Sequence, residues 1–290
     1  MVRVPVRHQF RLRAIAWQAD VDAFGELRSA TLLRFLQETA TRASTDAGFD
    51  PAYYARTGTL WLIRRTTLTR FAPIRYGDEL EATTWIADFR RVRSRRDYVV
   101  HAGERRVAQA STDWVFVDRT SLRPRRIPLE MEAAFGDDGT PSLARAPFPE
   151  SAPPPSAART VRRVELHDLD ALQHVNNATY VQYVEQAAYD ADAAAQWPLA
   201  AQLAAGGRFR AVSHDVEYLD GALLGDALVL VTWPCAITTD AVERRTTILR
   251  RDGEHPVARA VSRYAWVEAH RGEPRPLPDP LAAVLRAAIV

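Results

Sequence analysis

Residues 168–185 read DLDALQHVNNATYVQYVE, and 148 positions earlier the chain carries a weaker copy, DVDAFGELRSATLLRFLQETA at 20–40. At that shift Asp20, Asp22, Ala23, Ala30, Thr31 and Ala40 fall on Asp168, Asp170, Ala171, Ala178, Thr179 and Ala188. Farther on, Gly77, Asp78, Leu80, Thr84 and Trp85 fall on Gly225, Asp226, Leu228, Thr232 and Trp233. After two inserted residues the register resumes at 150, aligning Gly103-Glu104 with Gly253-Glu254, Ala108 and Ala110 with Ala258 and Ala260, and Pro124-Arg125 with Pro274-Arg275. Self-similarity on this scale makes each half one structural unit.

The same order of elements reads out of both halves. A short alternating strand (10–15; 161–166) leads through a turn into a helical segment, and four longer strands follow. Leu32, Leu33, Leu36 and Ala40, and in the second half Tyr180, Val184, Ala187, Ala188 and Ala191, recur at three- and four-residue spacing, so each helix has one apolar face. The later segments, such as ELEATTWIAD from Glu79 and ALVLVTWPCAI from Ala227, are rich in Thr, Val, Ile and Trp and follow a Gly-Asp turn. The expected fold is α+β: two tandem units, each a curved antiparallel sheet wrapped around one central helix, because a single helix buries its apolar face against a concave sheet. Residues 135–158, FGDDGTPSLARAPFPESAPPPSAA, have the composition of an exposed linker. This divides the chain into an N-terminal unit at 1–134 and a C-terminal unit at 159–290.

Composition removes several classes of function. With 290 residues, 47% hydrophobic and 26% charged, the chain is long and apolar enough for full cores. All 38 basic residues are Arg, which excludes Schiff-base, pyridoxal-phosphate and Walker-type lysine chemistry. The lone Cys235 forms neither an internal disulfide nor a zinc cluster. Arg3, Arg7, Arg11 and Arg13 break up the N-terminus, and no apolar run reaches the ~18 residues of a membrane span. The net charge of +2, with both signs interspersed, gives no continuous basic surface for nucleic acid. A cytoplasmic protein without membrane insertion, metal or cofactor is the expectation, and neither G-x-S-x-G nor G-x-G-x-x-G occurs.

The D-x-D-x-x-x-H-V-N-N-x-x-Y pattern at 168–180 resembles that of the hot-dog-fold thioesterases, where it leads into the central helix. With two such units, the whole chain is similar to the double-hot-dog acyl-acyl-carrier-protein thioesterases. Two features depart from that family: Leu172 stands where it has Asn, and the segment after Glu217-Tyr218 reads Leu219-Asp220-Gly221-Ala222 without the family's Glu-Cys pair. On these points the chain is closer to single-unit acyl-CoA thioesterases, so carrier protein and CoA both stay open. The resemblance implies hydrolysis of a fatty acyl or related thioester, with Asp170 as general base or nucleophile and His174 orienting the water. The following helix N-terminus, at Asn177, would hold the oxyanion. A thioester asks for little more, since its thiol leaving group has a pKa near ~8.5. A non-catalytic acyl-thioester-binding module and a hydroxyacyl-thioester dehydratase are the alternatives.

The two copies weigh these residues against each other. His174 faces Glu26, and a group present in only one half is hard to explain as scaffold. Asp170 faces Asp22, which admits a turn role, and Asn177 faces Ser29, both good helix caps. His214 alternates with Val212, Val216 and Tyr218 and reads as a core-side histidine, while Glu185 on the helix is held in reserve. Glu217 and Asp220 read as strand and turn residues, and Cys235 as a small buried one. In RRVRSRR, the residues Arg90, Arg91, Arg93, Arg95 and Arg96 have no equally basic counterpart and suit a phosphate-bearing arm or an acidic carrier protein. Exposed sheet edges leave room for a homodimer.

Overall fold

The computed structural model describes residues 9–136, 142–144, 146–251 and 256–289. Arg3 and Arg7, part of the 135–158 segment and the Gly253-Glu254 pair of the repeat lie outside the described residues. The chain separates into two compact units, Met1–Pro147 and Phe148–Val290.

In the first unit the order is β1 (Phe10–Ile15), α1 (Ser29–Asp46), α2 (Pro51–Thr57), β2 (Thr59–Arg70), β3 (Glu79–Arg90), β4 (Arg93–Ala102), β5 (Arg105–Asp118) and α3 (Leu129–Phe135). Its strands pair antiparallel in the order β1-β3-β4-β5-β2. Helix α1 lays Leu32, Leu33, Leu36, Ala40 and Ala43 into the core, each buried leucine contributing roughly 2 kcal/mol of burial energy. Phe49, Ile86, Phe116, Ile127, Met131 and Phe135 form one cluster of that core.

The second unit repeats the plan with β6 (Ala158–Arg163), α4 (Asn177–Ala194), α5 (Leu199–Ala204), β7 (Gly207–Tyr218), β8 (Ala227–Ile237), β9 (Ala241–Arg250), β10 (Pro256–Glu268) and α6 (Asp279–Ala287). The strand order is β6-β8-β9-β10-β7, the same connectivity as in the first unit. The α+β class and the curved-sheet hot-dog architecture expected from the sequence hold. Register agrees with the repeat as well: Thr66 faces Thr112 across β2 and β5, and His214 faces Ser262 across β7 and β10.

Three differences from the expected elements have physical causes. The first strand of the second unit lies at Ala158–Arg163 rather than 161–166, because Leu166–Asp168 turn into a 3-10 helix whose start is closed by the Glu165 N–H donating to Asp168 Oδ2 at 2.8 Å. Short helices α2 and α5 precede the second strand of each unit, and α3 and α6 close each unit; most span two turns or fewer, too brief for a hydrophobic period to stand out. Helix α2 is set by Pro51 at its first position and by Asp50, whose Oδ1 caps the Tyr53 N–H at 2.7 Å. Finally, part of the linker segment is tied down: the Leu143 N–H donates to buried Asp97 Oδ2 at 2.7 Å, and Arg95 Nη2 donates to the Leu143 carbonyl at 2.6 Å. Among the described residues no helix is long and apolar enough to cross a membrane.

Candidate active site

The turn at 168–176 is a small hairpin that presents His174 just before α4. Leu169 and Val175 bridge across it, the Asp170 N–H donates to the His174 carbonyl at 3.0 Å, and the Gln173 N–H donates to the Asp170 carbonyl at 3.0 Å. Asp170 spends one carboxylate oxygen on this turn, where Oδ1 accepts the Leu172 N–H at 2.9 Å. Gln173 takes the left-handed backbone that closes the turn, with φ 64°. The helix cap falls on Asn176, whose Oδ1 accepts the Ala178 N–H at 2.9 Å. The capping role expected for Asn177 therefore belongs to its neighbour. Asn177 is instead the first helical residue, so its N–H has no intrahelical acceptor, and its carbonyl accepts Tyr218 Oη–H at 3.1 Å.

The second wall is the loop after β7. The His174 ring packs so closely on Gly221 that a β-carbon there would sit 2.3 Å from His174 Cδ2, so any side chain at 221 would displace the ring. Val175 N–H donates to the Ala222 carbonyl at 2.9 Å, and the Ala222 N–H donates to Tyr180 Oη at 3.0 Å. Arg250 staples the loop: Nη1 donates to Asp220 Oδ2 at 2.5 Å, Nε donates to Asp226 Oδ2 at 2.9 Å, and Nη2 donates to the Gly221 carbonyl. The Arg250 hydrogen bond holds the Asp220 carboxyl below the usual carboxylate range against the opposing effect of burial. Asp220 is thus a turn residue, as the sequence suggested, and its carboxylate is paired with Arg250. Burial pushes the Tyr180 phenol up to about 12, so it stays a neutral hydroxyl.

The same scaffold stands in the first unit with different chemistry. Asp22 Oδ1 accepts the Phe24 and Glu26 N–H groups at 2.8 and 3.0 Å, and Leu27 N–H donates to Ile74 O at 2.7 Å, as Val175 does to Ala222. Arg28 N–H donates to the Asp20 carbonyl at 3.1 Å, as Asn176 does to Asp168 at 2.9 Å. At the His174 position, however, the first unit holds Glu26, which is buried, whereas His174 is half-buried.

The arginine stretch splits. Arg90, Arg93 and Arg95 line a cleft of about 240 Å³ in the first unit, together with Asp88, Ser94, Asp113 and Ala146. Arg90 pairs with Asp88 at 3.1 Å, and Arg95 with buried Asp97 at 3.1 Å. Arg91 occupies the tight β3–β4 turn with φ 36° and is not among the residues lining the cleft. Arg96 is the correction to the expected substrate-binding set. Alternation along β4 turns it to the opposite face from Arg95, where it is buried, its guanidinium 5.2 Å from the centre of the Phe135 ring. Cys235 is half-buried rather than fully buried; burial, with Glu243 beside it, pushes its thiol up to about 11, which removes it as a nucleophile. Glu165, His167 and Asp168 bring one donor atom each within 4.8 Å, but Asp168 Oδ2 already closes the 3-10 turn and the other two are exposed.

Residues 8–135 match the model of the acyl-ACP thioesterase N-terminal domain, and residues 164–285 match that of the thioesterase-like superfamily. Among curated proteins, the chloroplastic oleoyl-acyl carrier protein thioesterase 2 of Arabidopsis thaliana is 26% identical over 174 residues, covering 53% of this chain and 47% of that protein. The chain spans about half the length of the curated relatives it matches. Two solved structures share the fold. One, described as an oleoyl thioesterase from Lactobacillus plantarum, has a TM-score of 0.76 at 16% identity over 89% of this chain and 96% of its own. The other, a 12:0-ACP thioesterase from Umbellularia californica, has a TM-score of 0.68 at 19% identity over 92% of this chain and 94% of its own.

Proposed function

We propose that this chain, whose first half matches the acyl-ACP thioesterase N-terminal domain and whose second half matches the thioesterase-like superfamily, hydrolyses fatty acyl thioesters of acyl-carrier protein, using the second unit's turn as its reacting centre. The observation that carries this reading is the placement of His174: half-buried, packed on Gly221 and just before the α4 N-terminus, with no histidine at the matching place in the first unit.

The chemistry follows from these groups. His174 takes the proton of an attacking water and returns it to the departing thiolate. The α4 N-terminus at Asn177 supplies N–H groups for the developing oxyanion. Asp170 holds the hairpin through its Asx turn, and its remaining carboxylate oxygen is the second candidate for ordering the water. Arg90 and Arg93 supply the positive surface for an acidic carrier.

Free-thiol release from acyl-ACP and acyl-CoA panels tests the reading, with His174→Ala and Asp170→Asn beside wild type. Loss of turnover in His174→Ala with a preserved melting transition supports it. Tight thioester binding with no wild-type turnover would replace it with a binding module. Double replacement of Arg90 and Arg93 is expected to raise KM for acyl-ACP and weaken its salt dependence.

A further inference from the structure

Beneath its outward-facing arginines the first unit buries a guanidinium that no acid balances. Arg96 on β4 is 4% exposed; its Nη1 donates to Thr84 Oγ1 at 3.5 Å, and its Cζ stands 5.2 Å from the centre of the Phe135 ring. Burial pulls the guanidinium below its ordinary value, and the groups that oppose this are the Tyr98 and Tyr54 phenols, not a carboxylate. Neighbouring Asp97 faces the other side of the strand, where it pairs with Arg95.

The second unit meets the same burial with an acid of its own. Arg244 on β9 lies opposite Ser262 as Arg96 lies opposite Thr112, and it is paired with Asp192 of α4. Asp192, and Gln202 on α5, are closed off at 4% and 3% exposure. In the first unit the same two places hold Ser44 and Tyr54, whose hydroxyls lie 2.9 Å apart and which are both half-buried. The acid is therefore missing on the side of the guanidinium that is open. An uncompensated buried cation is costly, and an anion from outside removes that cost.

The surroundings define which anion fits. Phe135, beside the guanidinium, packs 6.1 Å from half-buried Phe89 and 6.2 Å from Phe49, which in turn meets half-buried Tyr53 edge-on at 5.0 Å. This belt of rings suits an alkyl chain, while the Ser44 and Tyr54 hydroxyls give the open side its polar edge. A planar guanidinium takes a carboxylate through two parallel N–H groups. One cation neutralises one negative charge, so a doubly charged phosphate would stay uncompensated among these rings.

We propose that Arg96 anchors a binding site for alkyl carboxylates within the first unit, entered past Ser44 and Tyr54. Such a group comes from one of two sources: the fatty acid that hydrolysis releases, or a distal carboxyl on an acyl chain still joined to its thiol. That pair of sources rests on the thioesterase reading above, whereas the site rests on Arg96 and its missing acid. The bound carboxylate stands in for the acid that Asp192 provides in the second unit.

Calorimetry on the full chain with two ligand pairs tests this without relying on turnover. The first pair is decanoate and decanol, each below its aggregation concentration; the second is the non-hydrolysable thioether analogues of sebacoyl- and decanoyl-pantetheine. Wild type is expected to prefer the carboxylate of at least one pair by about tenfold, the value of a hydrogen bond to a charged group. Preference in the first pair alone assigns the site to the released acid, and preference in the second assigns it to the acyl chain. Arg96→Met removes the charge at similar volume and should erase the preference without lowering the melting temperature. Ser44→Asp puts the second unit's acid into the first, and it should raise the melting temperature of the free protein while displacing the ligand carboxylate. Equal affinities within both pairs, or a preference that persists in either folded variant, would overturn the inference. If that happens while thiol release persists, the thioesterase reading stands alone; a carboxylate preference in a protein that releases no thiol leaves the site without that reading.

Discussion

The turn before α1 and the turn before α4 have one backbone and two chemistries. Both close on an Asp in an Asx turn, both hand their next residues to the opposing loop through equivalent backbone hydrogen bonds, and both open into an 18-residue helix. What differs is what stands at the tip: buried Glu26 in one and half-buried His174 in the other. The difference separates scaffold from reaction. Asp22 and Asp170 both hold their turns, whereas His174 has no histidine counterpart in the first unit.

The largest expected effect comes from erasing that asymmetry. His174→Glu copies the first unit's residue into the second, and it should lower kcat by about 10²–10⁴-fold, the usual worth of a positioned general base. Thermal unfolding checks that the turn survives. Retained turnover would show that the reaction uses some other group of the second unit.

A second contrast lies in the cores. Asp192 on α4 and Arg244 on β9 form a buried ion pair, where the first unit has Ser44 bonded to the Tyr54 hydroxyl at 2.9 Å. Removing only the acid, as in Asp192→Ala, leaves an uncompensated buried guanidinium and should cost about 3 kcal/mol in denaturant unfolding. Burial raises the Asp192 carboxyl to about 6 despite Arg244. A carboxyl raised in the folded state contributes stability that is complete below its unfolded value near ~3.9 and is lost as pH rises toward 6. Asp192→Asn should flatten that slope between pH 4 and 6, and an unchanged slope would place the titration elsewhere.

Gly221 sharpens the comparison on the side of geometry. Its counterpart in the first unit is Pro73, where no imidazole needs room. Gly221→Ala pushes a methyl group into His174 and should cost about 10–30-fold in kcat with KM less affected, since a displaced catalytic group loses orientation rather than binding. An equal rise in KM would point to a collapsed loop instead.

Much of this was legible in the sequence because the repeat supplied an internal control. Helical spacing at Leu32, Leu33 and Leu36 and the Gly-Asp turns before β3 and β8 gave the central helices and the sheet. His174 stands out in the sequence through its mismatch with Glu26. The pairing of Asp220 with Arg250 shows only in the fold, because Arg250 is thirty residues away on another strand and linear spacing carries no such contact. Arg96 was overvalued because a run of arginines hides the alternation of a strand, which sends neighbours to opposite faces. The cap went to Asn177 instead of Asn176 because two adjacent asparagines are chemically equivalent until the backbone leaves the helix.

The smallest expected effect sits at the turn itself. Gly25 and Gln173 occupy the same place with φ 72° and 64°, a backbone that costs a side-chain-bearing residue roughly 1 kcal/mol. Gly25→Gln should therefore destabilise the protein by about that amount, and Gln173→Gly should gain up to ~1 kcal/mol, less the extra entropy of the unfolded glycine. The two swaps differ in function. Straining the first turn moves no reacting group and should leave turnover unchanged, whereas Gln173→Gly frees the residue directly before His174 and should lower kcat a few-fold. Chemical unfolding and thiol release on the two variants measure both arms. If Gln173→Gly were more stable and fully active, the strained turn would be an accident of descent; if it were more stable and slower, the strain is what holds His174 against Gly221.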